Sequence, residues 1–173
     1  MSEHTEFLKI SATGNDFILI DNRNGRFAAD RDARYFSRLC RHRVAVGADG
    51  VILLEKSDQA DFRYVHINSD GSIAEMCGNG SRAIAWFAHH LGLYNTQAAF
   101  EINNKIYHVV INGLEVTTEF VPPGKPILDL SFVAEAELQA GGYIDTGVPH
   151  LELYVQNIET VEVERLGRAY RSH

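Results

Sequence analysis

Short stretches of alternating or continuous apolar residues, broken by Gly, Asn, Asp and Pro, recur along most of this chain, and one apolar block stands out among them. Residues 7–10 and 17–21 predict two strands joined by the polar turn Thr13-Gly-Asn-Asp16, a hairpin with Asn15 at its tip. Residues 30–43 place Ala33, Phe36, Leu39 and Cys40 at helical spacing, which predicts an amphipathic helix with Cys40 on its buried stripe. Gly47-Ala-Asp-Gly50 turns the chain into a short buried strand over 51–54. Residues 61–67 alternate as a further strand, and the Asp70-Gly71 turn leads into another that delivers Cys77. Residues 83–92 then run apolar on every face, without a charge between Arg82 and Gly92, so the helix they predict is buried all round. Asn79 and Ser81 are N-cap types at its start, and Gly92 suits the C′ position.

Beyond that helix, residues 98–103, 105–111 and 114–120 predict a meander turned at Asn103-Asn104 and Asn112-Gly113. Pro122-Pro-Gly-Lys-Pro126 cannot continue a ladder and marks a boundary, giving a first unit over 1–121 and a remainder over 122–173. In the remainder, 127–134, 142–145 and 151–155 predict strands and 160–171 a helix. The fold class expected is α+β, with strands wrapped around one central buried helix.

Composition narrows the partners. A formal net charge of −7 argues against nucleic acid, because phosphate contacts need clustered Lys and Arg; the local run Arg38 to Arg43 is better read as a solvated helix end. Two cysteines do not make a disulfide framework, the start of the chain lacks a leader pattern, and no apolar run approaches the roughly 18 residues of a membrane span. A cytoplasmic protein without a membrane partner is expected. The eight histidines include no His-Glu-x-x-His pattern, so no metal site is expected.

Cys77 is the candidate for chemistry. Just before a helix, unpaired N–H groups and the positive end of the dipole favour anions, and a thiol pKa can fall from about 8.5 to between roughly 3.5 and 7.5. Gly78 and Gly80 carry no side chain, so a carboxylate or phosphate can approach the backbone closely. A cysteine filling the core is the competing reading. Asn15 and Asn68 fit either substrate contacts or turn residues bonded to their own backbone. Gly78-Asn-Gly-Ser-Arg-Ala83 also fits the template of dinucleotide-binding turns, but the mixed stretch before it is not the buried strand that template requires.

The stretch Asn68-Ser-Asp-Gly-Ser-Ile-Ala-Glu-Met-Cys77-Gly-Asn-Gly-Ser-Arg82 resembles the active-site signature of diaminopimelate epimerases. Phe7-Leu-Lys-Ile-Ser-Ala-Thr-Gly-Asn-Asp-Phe17, Val46-Gly-Ala-Asp-Gly-Val-Ile-Leu-Leu54 and Thr146-Gly-Val-Pro-His150 match in the same order, as does the closing Glu164 to His173. The resemblance implies a cofactor-independent enzyme that converts LL- to meso-diaminopimelate with two cysteines, in lysine and cell-wall precursor biosynthesis. It implies Cys77 as one of the two, His150 close to them, and Asn15, Asn68, Gly78, Asn79 and Gly80 as substrate contacts. Such enzymes have two similarly folded halves, the second bearing the other cysteine in an Ala-Cys-Gly-Thr-Gly type segment after a Glu-Arg pair. Neither is present here, so residues 122–173 are expected to be a linker and an incomplete second half, and the chain alone to be inactive. A homodimer is left open. Many members have Asn at the place of Val148 and some have Gln at that of Gly50, and both replacements remove a polar contact. A related amino-acid racemase and a non-catalytic module are the alternatives.

Overall fold

The computed structural model describes residues 4–29, 32–128, 130 and 138–170. They fall into two compact units, Met1–Phe120 and Val121–His173. In the first, β1 (Leu8–Ala12) and β2 (Asn15–Asp21) form a hairpin closed by Thr13 and Gly14. Both turn residues have positive φ, +53° and +94°, as a turn matching the twist of the flanking strands requires. The turn is two residues long, so Asn15 is the first residue of β2, paired with Ala12, rather than the tip. α1 (Ala33–Cys40) leads to β3 (Gly50–Glu55), parallel to β2, and β4 (Phe62–Asn68) returns antiparallel. α2 (Gly78–His90) then crosses to β5 (Gln97–Ile102), parallel to β4, followed by the antiparallel β6 (Lys105–Asn112) and β7 (Glu115–Glu119). The seven strands lie in chain order, and the two parallel pairs are those that a helix connects.

Period-two alternation gives the sheet two apolar faces. Phe17, Leu19, Ile52, Leu54, Phe62 and Tyr64 pack with Ile84, Phe87 and Ala88 of α2, whereas Ile18, Ile20, Val51, Leu53 and Ile67 pack with Phe36 and Cys40 of α1. α2 touches both edge strands, β1 and β7. In a flat sheet those edges would stand roughly 29 Å apart at about 4.8 Å per strand, too far for a helix about 10–12 Å across. The sheet therefore curls around α2, and the fold is the α+β arrangement of strands about one helix.

Two further expectations are corrected. α2 is not sealed: Asn79, Arg82 and Trp86 are half-buried and His90 is exposed, a stripe at three- and four-residue spacing on the side the curl leaves open. Trp86 stacks on His90 there, with ring centroids 5.0 Å apart. Residues 72–76 are not a strand. β5 pairs with β4 only at Phe62 and Arg63, and farther along that edge Ile73 makes a single bridge to Ile67 before the chain enters α2.

The helix expected over 30–43 is described over Ala33–Cys40; Arg41 is extended and Arg43 has φ of +63°, which ends it, and residues 30 and 31 lie outside the described residues. The second unit has an antiparallel sheet in the order β10 (Pro149–Val155), β9 (Leu138–Asp145) and β8 (Ile127–Leu128), followed by α3 (Val163–Tyr170). The strand expected over 127–134 is described only at its start, since 129 and 131–134 lie outside the described residues, as does residue 171 of the closing helix.

Candidate active site

The start of α2 gathers the candidate residues of the first unit. Cys77 is the N-cap, with extended backbone, and its half-buried Sγ accepts the Gly80 N–H at 3.4 Å. Ser81 N bonds the Cys77 carbonyl at 2.8 Å, closing the first helical turn. The N–H groups of Gly78 and Asn79, orphaned as at any helix start, have no partner among the described residues. A donor pair and the positive end of a 13-residue helix thus stand beside a thiol.

Side chains tie this corner to the β1–β2 turn. Asn79 Nδ2 donates to Asn15 Oδ1 at 2.9 Å and reaches the Thr13 carbonyl at 3.5 Å, while Arg82 Nη1 donates to Asn79 Oδ1 at 3.2 Å. Asn15 Nδ2 in turn donates to Asp49 Oδ2 at 3.1 Å, an oxygen that also accepts the Asp16 N–H at 2.9 Å. The Asp16 N–H, and after it the Asn15 amide, hold the Asp49 carboxyl below the usual carboxylate range. An anionic Asp49 accepts only, so it fixes which way both amides face. Asn68 ends β4 and caps the Asp-Gly turn: its Nδ2 donates to Ser72 Oγ at 3.1 Å, and Ser72 Oγ donates to Asp70 Oδ1 at 2.6 Å. Asn15, Asn79, Cys77, Gly78 and Gly80 are brought together; Asn68 lies on the same sheet face by strand alternation, directly across from Gly50.

His150 belongs to the second unit. It is exposed near the start of β10, and its Nδ1 lies 2.7 Å from the Val148 carbonyl and 3.1 Å from Thr146 Oγ1. Cys40 lies apart from this corner, in the other apolar cluster. It is 4% exposed in the α1 core, and burial pushes its thiol up to about 11.

The sequence pattern of the diaminopimelate epimerase family matches residues 7–121, the stretch that builds this corner. The chain belongs to that family. Diaminopimelate epimerase of Aquifex aeolicus is 38% identical over 181 residues, covering 97% of this chain and 63% of the relative. That of Chlorobaculum tepidum is 39% identical over 160 residues, covering 89% and 59%. The chain therefore spans about three-fifths of the length of these curated relatives. Among solved structures, a phenazine biosynthesis protein of the PhzF family from Bacillus anthracis matches with a TM-score of 0.62 at 16% identity, over 90% of this chain and 56% of that one. A hydroxyproline epimerase from Agrobacterium vitis matches with a TM-score of 0.59 at 15% identity, over 93% and 52%. These two likenesses show the fold.

Sequence reasoning missed three parts of this corner of the family fold. Asp49 was legible only as part of a glycine turn, and Arg82 only as the end of a motif. The third is a buried pair under α2: Tyr64 Oη lies 3.0 Å from His66 Nδ1, and a Cβ on Gly80 would overlap that hydroxyl. Two-residue spacing on a strand was the available signal, since it puts both rings on one face.

Proposed function

We propose that the protein epimerises LL- to meso-diaminopimelate without a cofactor, with Cys77 as one of two proton-transfer groups, in the route to lysine and cell-wall precursors. The observation that carries this is a half-buried thiol on the N-cap of α2, beside two unpaired N–H groups. Inversion at an α-carbon needs a base on one face and an acid on the other. As thiolate, Cys77 takes the α-proton, leaving the electron pair on carbon delocalised into the carboxylate; a second group returns a proton from the opposite face. Charge building on the carboxylate is met by the N–H groups of Gly78 and Asn79, with Gly80 keeping the helix start accessible. The Asn15 and Asn68 amides, which both donate and accept, suit the far ammonium and carboxylate of diaminopimelate. Cys40 is not the second thiol, for the burial given above. His150 is assigned next to the reacting pair because Thr146-Gly-Val-Pro-His150 resembles the family's segment there, and a homodimer is the assembly to be tested for.

α-Proton exchange of LL- and meso-diaminopimelate in deuterated water, followed by NMR on the full-length natural protein, tests this. Cys77→Ala should abolish inversion, and Cys40→Ala should retain most of it, with losses confined to stability. Full turnover by Cys77→Ala would remove the thiol from the mechanism. Exchange of proline or alanine instead of diaminopimelate would point to a racemase for another amino acid.

A further inference from the structure

Tyr64 and His66 are 1% and 5% exposed, and the contact between them is the only hydrogen bond of either side chain among the described residues. A buried phenol needs an acceptor for its O–H, and Nδ1 is the one within reach. Tyr64 therefore donates, which fixes the imidazole as the Nε2–H tautomer. Burial pushes the His66 pKa down to about 4, so the ring is neutral under physiological conditions and keeps that single donor.

Nε2–H itself has no partner among the described residues. No sealed side-chain nitrogen or oxygen among them lacks a partner, so the small exposure left to His66 includes this nitrogen. Its position is set by Gly50: a Cβ there would lie 2.7 Å from Nε2, so the ring leans over the glycine into space a side chain would fill. Gly50 pairs with Phe17 on one side and Asn68 on the other, and Phe17 meets the imidazole edge-on with centroids 5.5 Å apart. At the other end of the pair, the Tyr64 hydroxyl lies against Gly80, whose N–H donates to Cys77 Sγ at 3.4 Å. A donor without a partner, on a side chain only 5% exposed, thus stands beside Gly50, whose neighbours across the sheet are Phe17 and Asn68.

We propose that His66 Nε2–H is a further substrate-binding donor of this site, holding the α-carboxylate of the amino acid opposite the N–H groups of Gly78 and Asn79. This rests on the amino-acid reading given above. A neutral donor suits that role, because it binds an anion without titrating in the working range, and Tyr64 holds it in the one tautomer that can donate. Tyr64 is a positioning residue.

The test is kinetics and NMR on the full-length natural protein. His66→Phe, which keeps the ring but removes both nitrogens, should raise the KM for diaminopimelate by about tenfold or more, the usual effect of losing a hydrogen bond to a charged group. His66→Gln, whose amide can donate in the same slot, should recover part of that loss, which a purely structural role would not predict. In ¹⁵N-histidine-labelled wild type, His66 should show a protonated Nε2 and an unprotonated Nδ1, and saturating diaminopimelate should shift Nε2. A folded His66→Phe with KM within twofold of wild type, or an Nε2 signal unmoved at saturation, overturns the proposal. If the wild type neither exchanges nor inverts diaminopimelate, the epimerase reading fails separately. The His66 inference is then decided by titrating the labelled protein with alanine, proline and glutamate, and is overturned if none of them moves Nε2.

Discussion

A buried neutral imidazole couples folding to pH, and His66 gives that coupling a sign. Its folded pKa, about 4, lies below the ordinary value of 6.5. Above pH 6.5 both folded and unfolded states are neutral and the contribution of burial is fully present. As pH falls below that, the unfolded chain takes up a proton that the folded one refuses, and stability drops until pH reaches the folded pKa. The loss should approach roughly 3 kcal/mol, at about 1.4 kcal/mol for each pH unit that separates the two values. Urea unfolding at about pH 7 and about pH 4.5 should show the drop in wild type and a much smaller one in His66→Phe. Equal pH dependence in the two proteins would mean that the folded imidazole titrates normally. None of this was legible in the sequence, where His66 was one polar position in an alternating strand. Its role depends on Tyr64 two residues before it and on the missing side chain of Gly50 on the next strand, and only register brings those together. Cys77 was legible, because a thiol before Gly-Asn-Gly-Ser is a local signal for a helix start.

α2 depends on a close approach at its first turn. Gly80 is the point where the helix backbone rests on the Tyr64 hydroxyl, and a Cβ there would also come within 3.3 Å of Ile52 Cδ1. Gly80→Ala should therefore cost about 2 kcal/mol of stability, as overpacking does in a dense core. It should also reduce turnover, since lifting the turn moves the Gly80 N–H away from Cys77 Sγ. The double variant Gly80→Ala/Tyr64→Phe, with the hydroxyl gone, should be more stable than the sum of the single effects by about 1 kcal/mol or more. Strict additivity in denaturant melts would show that the helix relieves the overlap elsewhere. The existence of α2 was plain from its uncharged run. Its open side was not, because apolar composition cannot show where a curled sheet stops; Arg82 and Trp86 lie on that side. Segment 72–76 likewise imitates a strand in composition, but Ile73 makes a single bridge to Ile67 of β4 and no ladder follows.

At the scale of the molecule, the two units differ in how much they bury. The first carries two apolar clusters on opposite faces of one sheet, and β2 and β3 contribute alternate residues to both. Among the described residues of the second, the buried side chains are Leu166 and Tyr170 of α3, while β10 is exposed at every other position and Ile127 and Leu128 are open to solvent. Opening free energies follow burial, because a strand with few apolar contacts loses little on separating from its neighbour. Native-state hydrogen exchange should therefore find the slowest amides in β2, β3 and β4, exchanging only by global unfolding. The amides of β9 and β10 should exchange at least about tenfold faster through local opening. Uniform protection across both units would mean that opening in this protein does not follow side-chain burial.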